Sequence, residues 1–182
     1  AASEGEAGET ALADLWRNDL DEETALPILA DHGFEPPALA WSRLRALKNG
    51  FSYRTMSPRG RERLDGLLPP VLRAVAAAPE PTPTLERVLN LLEAVARRSV
   101  YLALLADHPH TLEHLVKLCA ASSWIGAHLA RYPLLLDDLL NPAVLYAPLD
   151  RPRLAAELDL QLARAPADDP EERLNALRYF KQ

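Results

Sequence analysis

The sequence has 182 residues, a formal net charge of −6, 48% hydrophobic and 25% charged residues, which excludes disorder over most of its length and allows a core that buries roughly two-thirds of the surface an unfolded chain exposes. A single cysteine, Cys119, excludes a disulfide framework and points to a reducing compartment. No apolar run approaches the roughly 18–20 residues of a membrane span, no basic and apolar leader opens the chain, and the acidic balance argues against nucleic acid as the main partner.

Residues 1–10 carry Gly5, Gly8 and three glutamates but no large apolar side chain, which predicts a disordered lead-in. From residue 11 onward the pattern is helical. Asp21 is placed to cap a short helix that ends at Gly33, and Pro36 and Pro37 open a second helix with Leu39, Leu44 and Leu47 on one face, stopped by Asn49 and Gly50. Ser57 and Pro58 start a third, in which Leu64, Leu67, Leu68, Val71, Leu72 and Val75 form one apolar stripe, and Pro69 and Pro70 are expected to kink or split it.

Thr82 and Pro83 read as the cap and first position of a central helix striped by Leu85, Val88, Leu89, Leu92, Val95 and Ala96. Shorter helices follow over 100–106, 111–121, 123–131, 134–140 and 153–165, the last capped by Asp150. A final one runs from Glu171, where Asp169, Pro170 and Glu172 make a variant capping box. Alternating β-branched runs are missing, so the expected fold is all-α: an irregular multi-helix bundle, one domain over 11–182. The chain stops at Gln182 within that last helix, so it reads as a piece of something longer.

Three constellations could carry chemistry. His110, Glu113 and His114 fit the H-x-x-E-H spacing in which two histidines one turn apart ligate zinc and the glutamate activates water, although no third ligand is evident. The pairs Asp19/Asp21 and Asp137/Asp138 could hold a divalent metal, but nucleotidyl transfer also needs a small-residue turn that lets backbone amides approach phosphate, and no glycine is followed by glycine or serine. Cys119 lies on an apolar stripe and reads as a packed thiol. Arg54, Arg59, Arg61 and Arg63 form a local basic patch in an acidic chain, which could meet a phosphate or an acidic partner; Arg59, Arg61 and Arg63 are the candidate partner contact.

The run Cys119-Ala-Ala-Ser-Ser-Trp-Ile-Gly-Ala-His-Leu-Ala-Arg-Tyr-Pro-Leu-Leu-Leu-Asp-Asp-Leu-Leu-Asn-Pro, continuing to Leu145-Tyr146, resembles the bifunctional glutamine synthetase adenylyltransferase/adenylyl-removing enzymes. Gly60-Arg-Glu-Arg-Leu-Asp-Gly-Leu-Leu-Pro, Arg98-Ser-Val-Tyr-Leu-Ala-Leu-Leu and the closing Ala176-Leu-Arg-Tyr-Phe-Lys-Gln fit the same region of that family. The resemblance implies the helical stretch before the second of two nucleotidyltransferase domains, hence a non-catalytic regulatory or linker segment of a cytoplasmic enzyme. It implies ATP and magnesium as cofactors of the parent chain and none in this segment. The implied partners are the flanking catalytic domains, glutamine synthetase and the PII signal protein. The glycine-rich turn and Asp-x-Asp site of those catalytic domains match nothing here, so no catalytic residue and no metal ligand is carried over. The alternatives are a free-standing helical protein-interaction module and, third, a zinc hydrolase.

Overall fold

Leucine and alanine at helical spacing, with prolines at the starts of most helices, make the regular elements among the described residues helices. In the computed structural model, which describes residues 2–96 and 98–136 and, beyond them, positions 152, 155, 156 and 158–160, with side chains from residue 10 onward, there is no strand among the described residues. The helices are α1 (Ala2–Arg17), α2 (Glu22–Asp31), α3 (Pro37–Asn49), α4 (Phe51–Arg54), α5 (Pro58–Ala76), α6 (Pro81–Val95), α7 (Ser99–Asp107), α8 (Pro109–Ala121) and α9 (Ser123–Arg131), followed by a 3-10 turn at Pro133–Leu135. The chain divides into two compact units, Ala1–Asn141 and Pro142–Gln182, where a single domain over 11–182 is expected from the sequence. All of these elements belong to the first unit.

Local chemistry sets the helix ends. The Asp21 carboxylate accepts from the Thr24 amide at 2.8 Å, satisfying one of the orphan N–H groups of α2. At the other end Gly33 takes φ +78°, and the amides of Phe34 and Gly33 donate to the carbonyls of Leu29 and Ala30, so the chain reverses and delivers Phe34 fully buried. Ser57 caps α5 by accepting from the Gly60 amide at 3.1 Å, with Pro58 at the first position.

Two stripes build the core. Leu64, Leu67, Leu68, Val71, Leu72 and Val75 of α5 are all inaccessible, as are Leu85, Val88, Leu91, Leu92 and Val95 of α6. Helix α6 is central: it packs against α3, α5, α7, α8 and α9, which is why Leu91 is buried beside the expected stripe. Helix α1 packs on α5 through Leu12, Leu15 and Trp16, and α8 buries Leu112, Leu115, Val116 and Cys119, the face its spacing predicts.

Several sequence expectations are corrected. Residues 2–10 lie within α1, where a disordered lead-in over 1–10 is expected from the sequence; alanine and glutamate are good helix formers. Pro69 and Pro70 do not split α5. They sit inside a continuous helix, where their missing N–H groups leave the carbonyls of Asp65 and Gly66 without helical donors while Pro69 packs into the core. Helix α6 starts one residue before the expected cap, so Thr82 is inside the helix and buried, and its hydroxyl has no partner among the described residues. Leu39 is 43% exposed because the buried face of α3 runs through Ala40, Leu44 and Leu47, one residue and about 100° away. The helix expected over 134–140 begins as the 3-10 turn plus buried Leu136; its remainder, the Asp150 cap and the helix from Glu171 lie outside the described residues. Positions 155, 156 and 158–160 are helical, within the span expected over 153–165.

Candidate functional site

The basic patch surrounds the start of α5. Arg54, Arg59 and Arg61 are exposed and Arg63 is half-buried. Arg61 lays its guanidinium 5.5 Å from the centre of the Tyr53 ring and donates to the Arg54 carbonyl at 3.5 Å. Tyr53 is itself held from below: its hydroxyl donates to Asp65 Oδ1 at 2.8 Å, the same oxygen that accepts from Trp16 Nε1 at 2.9 Å, and the two rings meet edge to face at 5.7 Å. Lys48 closes the group, donating to the Trp16 carbonyl at 2.8 Å with its ammonium 5.5 Å from the Trp16 ring centre. One carboxylate thereby joins α1, α4 and α5. Partial burial, then the hydrogen bond to Asp65 and its charge, push the Tyr53 phenol up to about 12. The patch is thus a cationic surface in which Arg61 rests on a Tyr53 ring held by Asp65.

The other sequence candidates are not assembled into sites. His110 is fully exposed and 4.0 Å from the half-exposed Glu113 carboxylate, and among the described residues no group of three or more His, Cys, Asp or Glu side chains converges to hold a metal. Asp19 pairs with Arg45 at 2.8 Å, and that bond holds its carboxyl below the usual range; Asp21 is lowered by its hydrogen bonds with Thr24. Asp19 thus sits in an exposed ion pair and Asp21 caps α2. Asp137 and Asp138 lie outside the described residues.

Cys119 is fully buried, and burial pushes its thiol up to about 11 against the opposing field of Arg87. It should resist alkylation by iodoacetamide at neutral pH in the folded chain and react stoichiometrically once unfolded. Rapid native labelling by mass spectrometry would contradict that burial.

Sequence reading missed two arrangements. Arg87 reaches from α6 to donate to the Cys119 and Ala120 carbonyls at 2.9 and 3.2 Å, occupying acceptors that the end of α8 leaves open. Gly126 of α9 faces this clamp, where an added Cβ would stand 3.4 Å from Arg87 Cβ and 3.6 Å from Cys119 Sγ, ordinary van der Waals contact, and α9 packs on α6. The outer face of α9 carries a ladder: the Trp124 and His128 rings stack at 4.6 Å and 17°, His128 and Tyr132 follow at 5.0 Å, and Arg131 covers Tyr132 at 5.6 Å. The i, i+4, i+8 spacing of these rings was the available signal. Between α5 and α8 runs a groove of about 710 Å³, floored by Ala74, Leu112, Val116 and Ala120 and edged by Arg73, Glu113 and Lys117; it holds apolar surface with charge at the rim.

These features define an all-α segment of helices among the described residues. Residues 112–182 match the family model for glutamate–ammonia ligase adenylyltransferase. The whole chain is 46% identical over 193 residues to the bifunctional glutamine synthetase adenylyltransferase/adenylyl-removing enzyme of Thioalkalivibrio sulfidiphilus, covering 20% of that protein. With the enzymes of the same name, 98% of the chain is 47% identical to that of Pseudomonas aeruginosa, covering 19% of it, and 92% is 48% identical to that of Pseudomonas putida, covering 17%. The chain belongs to this adenylyltransferase family and spans about a fifth of the length of the curated relatives it matches.

Proposed function

We propose that this chain is a central helical regulatory and linker segment, without catalytic residues of its own, of a cytoplasmic enzyme that adenylylates and deadenylylates a tyrosine of glutamine synthetase in the control of nitrogen assimilation. The supporting observation is the match of the whole chain to about a fifth of each bifunctional relative. The state of the candidate groups agrees with it: Asp19 and Asp21 are engaged in an ion pair and a helix cap, and the Cys119 thiol is buried and neutral. ATP and magnesium belong to the catalytic domains of the parent chain. The partners of this segment are those domains, glutamine synthetase and the PII signal protein.

Within this reading Arg59, Arg61 and Arg63 carry a regulatory contact. A segment that couples two opposed active sites must bind a partner more tightly in one state than in the other, and a positioned cationic surface in an acidic chain provides such a difference. In the full-length enzyme, replacing all three arginines by glutamine should change the response of adenylylation to PII or glutamine severalfold, while unstimulated catalysis stays within a few-fold. An unchanged response in a folded variant, judged by its circular dichroism and melting curve, would return these arginines to an ordinary solvated surface.

A further inference from the structure

Trp124 is 63% exposed, whereas the other two tryptophans, Trp16 and Trp41, are 2% and 6% exposed. It heads the ladder in which His128 stacks on it at 4.6 Å and Tyr132 follows His128 at 5.0 Å, with Leu134, 69% exposed, two residues farther along the chain. The opposite side of α9 buries Gly126 and Leu129 against the bundle, so the ring-bearing side faces outward.

Tryptophan, tyrosine and arginine are the side chains that concentrate binding energy at protein interfaces, and rings already stacked on one another lose little further freedom when covered. The only ionisable side chains on α9 are His128 and Arg131, so the surface that covers it should present an apolar hollow for the indole and a carboxylate beside Arg131. The chain spans about a fifth of its relatives' length, so a full-length protein of that size carries some four times as much polypeptide elsewhere.

We infer that the Trp124–His128–Tyr132 face is an intramolecular docking surface, covered in the full-length protein by polypeptide lying outside these 182 residues. The inference rests on the reading of this chain as one segment of a longer enzyme, and it is independent of whether the α5 arginines regulate anything.

Hydroxyl-radical footprinting, read by peptide mass spectrometry on the 182-residue chain and on the full-length protein, tests it. Oxidation at Trp124 should be severalfold slower in the full-length protein, while Trp16 and Trp41 stay slow in both and report that each sample is folded. Equal oxidation of Trp124 in the two samples overturns the inference. Protection that appears only when purified glutamine synthetase is added also overturns it and assigns the face to that partner. As a second measurement, the double variant Trp124→Ser, Tyr132→Ser should lower the melting temperature of the full-length protein and leave that of the 182-residue chain unchanged; an equal shift in both would make the ladder a local stabiliser and contradict docking. The arginine-to-glutamine variant of α5 should leave the Trp124 footprint as it is, which keeps failure of docking distinct from failure of the regulatory reading.

Discussion

Truncating Leu89 or Leu92 to alanine should each lower the unfolding free energy by about 2–5 kcal/mol, measured by urea denaturation at constant m-value. Both side chains are buried, at 1% and 0% exposure, on the helix that touches five others, so a cavity there cannot be filled by the shift of one neighbour. A loss below about 1 kcal/mol would mean that the site collapses readily around the smaller residue, as a loosely packed helix would allow.

Asp65→Ala is expected to have the next largest effect. The substitution strips the shared acceptor from Trp16 Nε1 and Tyr53 OH together, and hydrogen bonds to a charged group are worth about 1.5–3 kcal/mol each when their donors are left without a partner. The two donors are only partly buried, so water can replace some of what is lost, and a net cost of about 2–3 kcal/mol follows. Asp65→Asn, which keeps one acceptor oxygen, should cost less. Burial of the Tyr53 phenol, together with this carboxylate, predicts an alkaline limb. Tyr53 titrates near 12 in the fold against 10.0 ordinarily, so folding favours its protonated form; this share of stability is complete below pH 10 and is lost as pH rises through 12. In Asp65→Ala that loss should begin at lower pH. A wild-type stability profile flat from pH 9 to 12, once lysine titration is allowed for with a Tyr53→Phe control, would contradict the arrangement.

How much of this could be read from the sequence depended on how local each cause is. The stripes of α5 and α6 were legible because six apolar side chains at 3, 4, 7 and 8 spacing leave one face to bury. The caps at Asp21 and Ser57 were legible because each bonds an amide three residues on. Proline was the least reliable guide. It marks the start of α3, α5, α6 and α8, yet Pro69 and Pro70 lie inside α5, where burial of the flanking leucines outweighs two missing hydrogen bonds. The Asp65 junction joins partners 49 and 12 residues apart and Arg87 reaches across 32, so neither leaves a periodic trace. The candidate site divides the same way. The arginines were legible as a basic patch, but the aromatic base under Arg61 follows from the packing of α4 and α5, and the H-x-x-E-H spacing says nothing about His110 facing solvent.

The proposed role has this segment serve adenylyl transfer without performing it, and the isolated chain allows that to be measured. Incubated with glutamine synthetase, magnesium and ATP labelled in its α-phosphate, the 182-residue chain should incorporate no label into the synthetase above background, while the full-length enzyme in parallel incorporates it readily. Labelled AMP on the synthetase with the isolated chain alone, abolished by heating that chain, would place transfer chemistry within these residues and rule out a non-catalytic role.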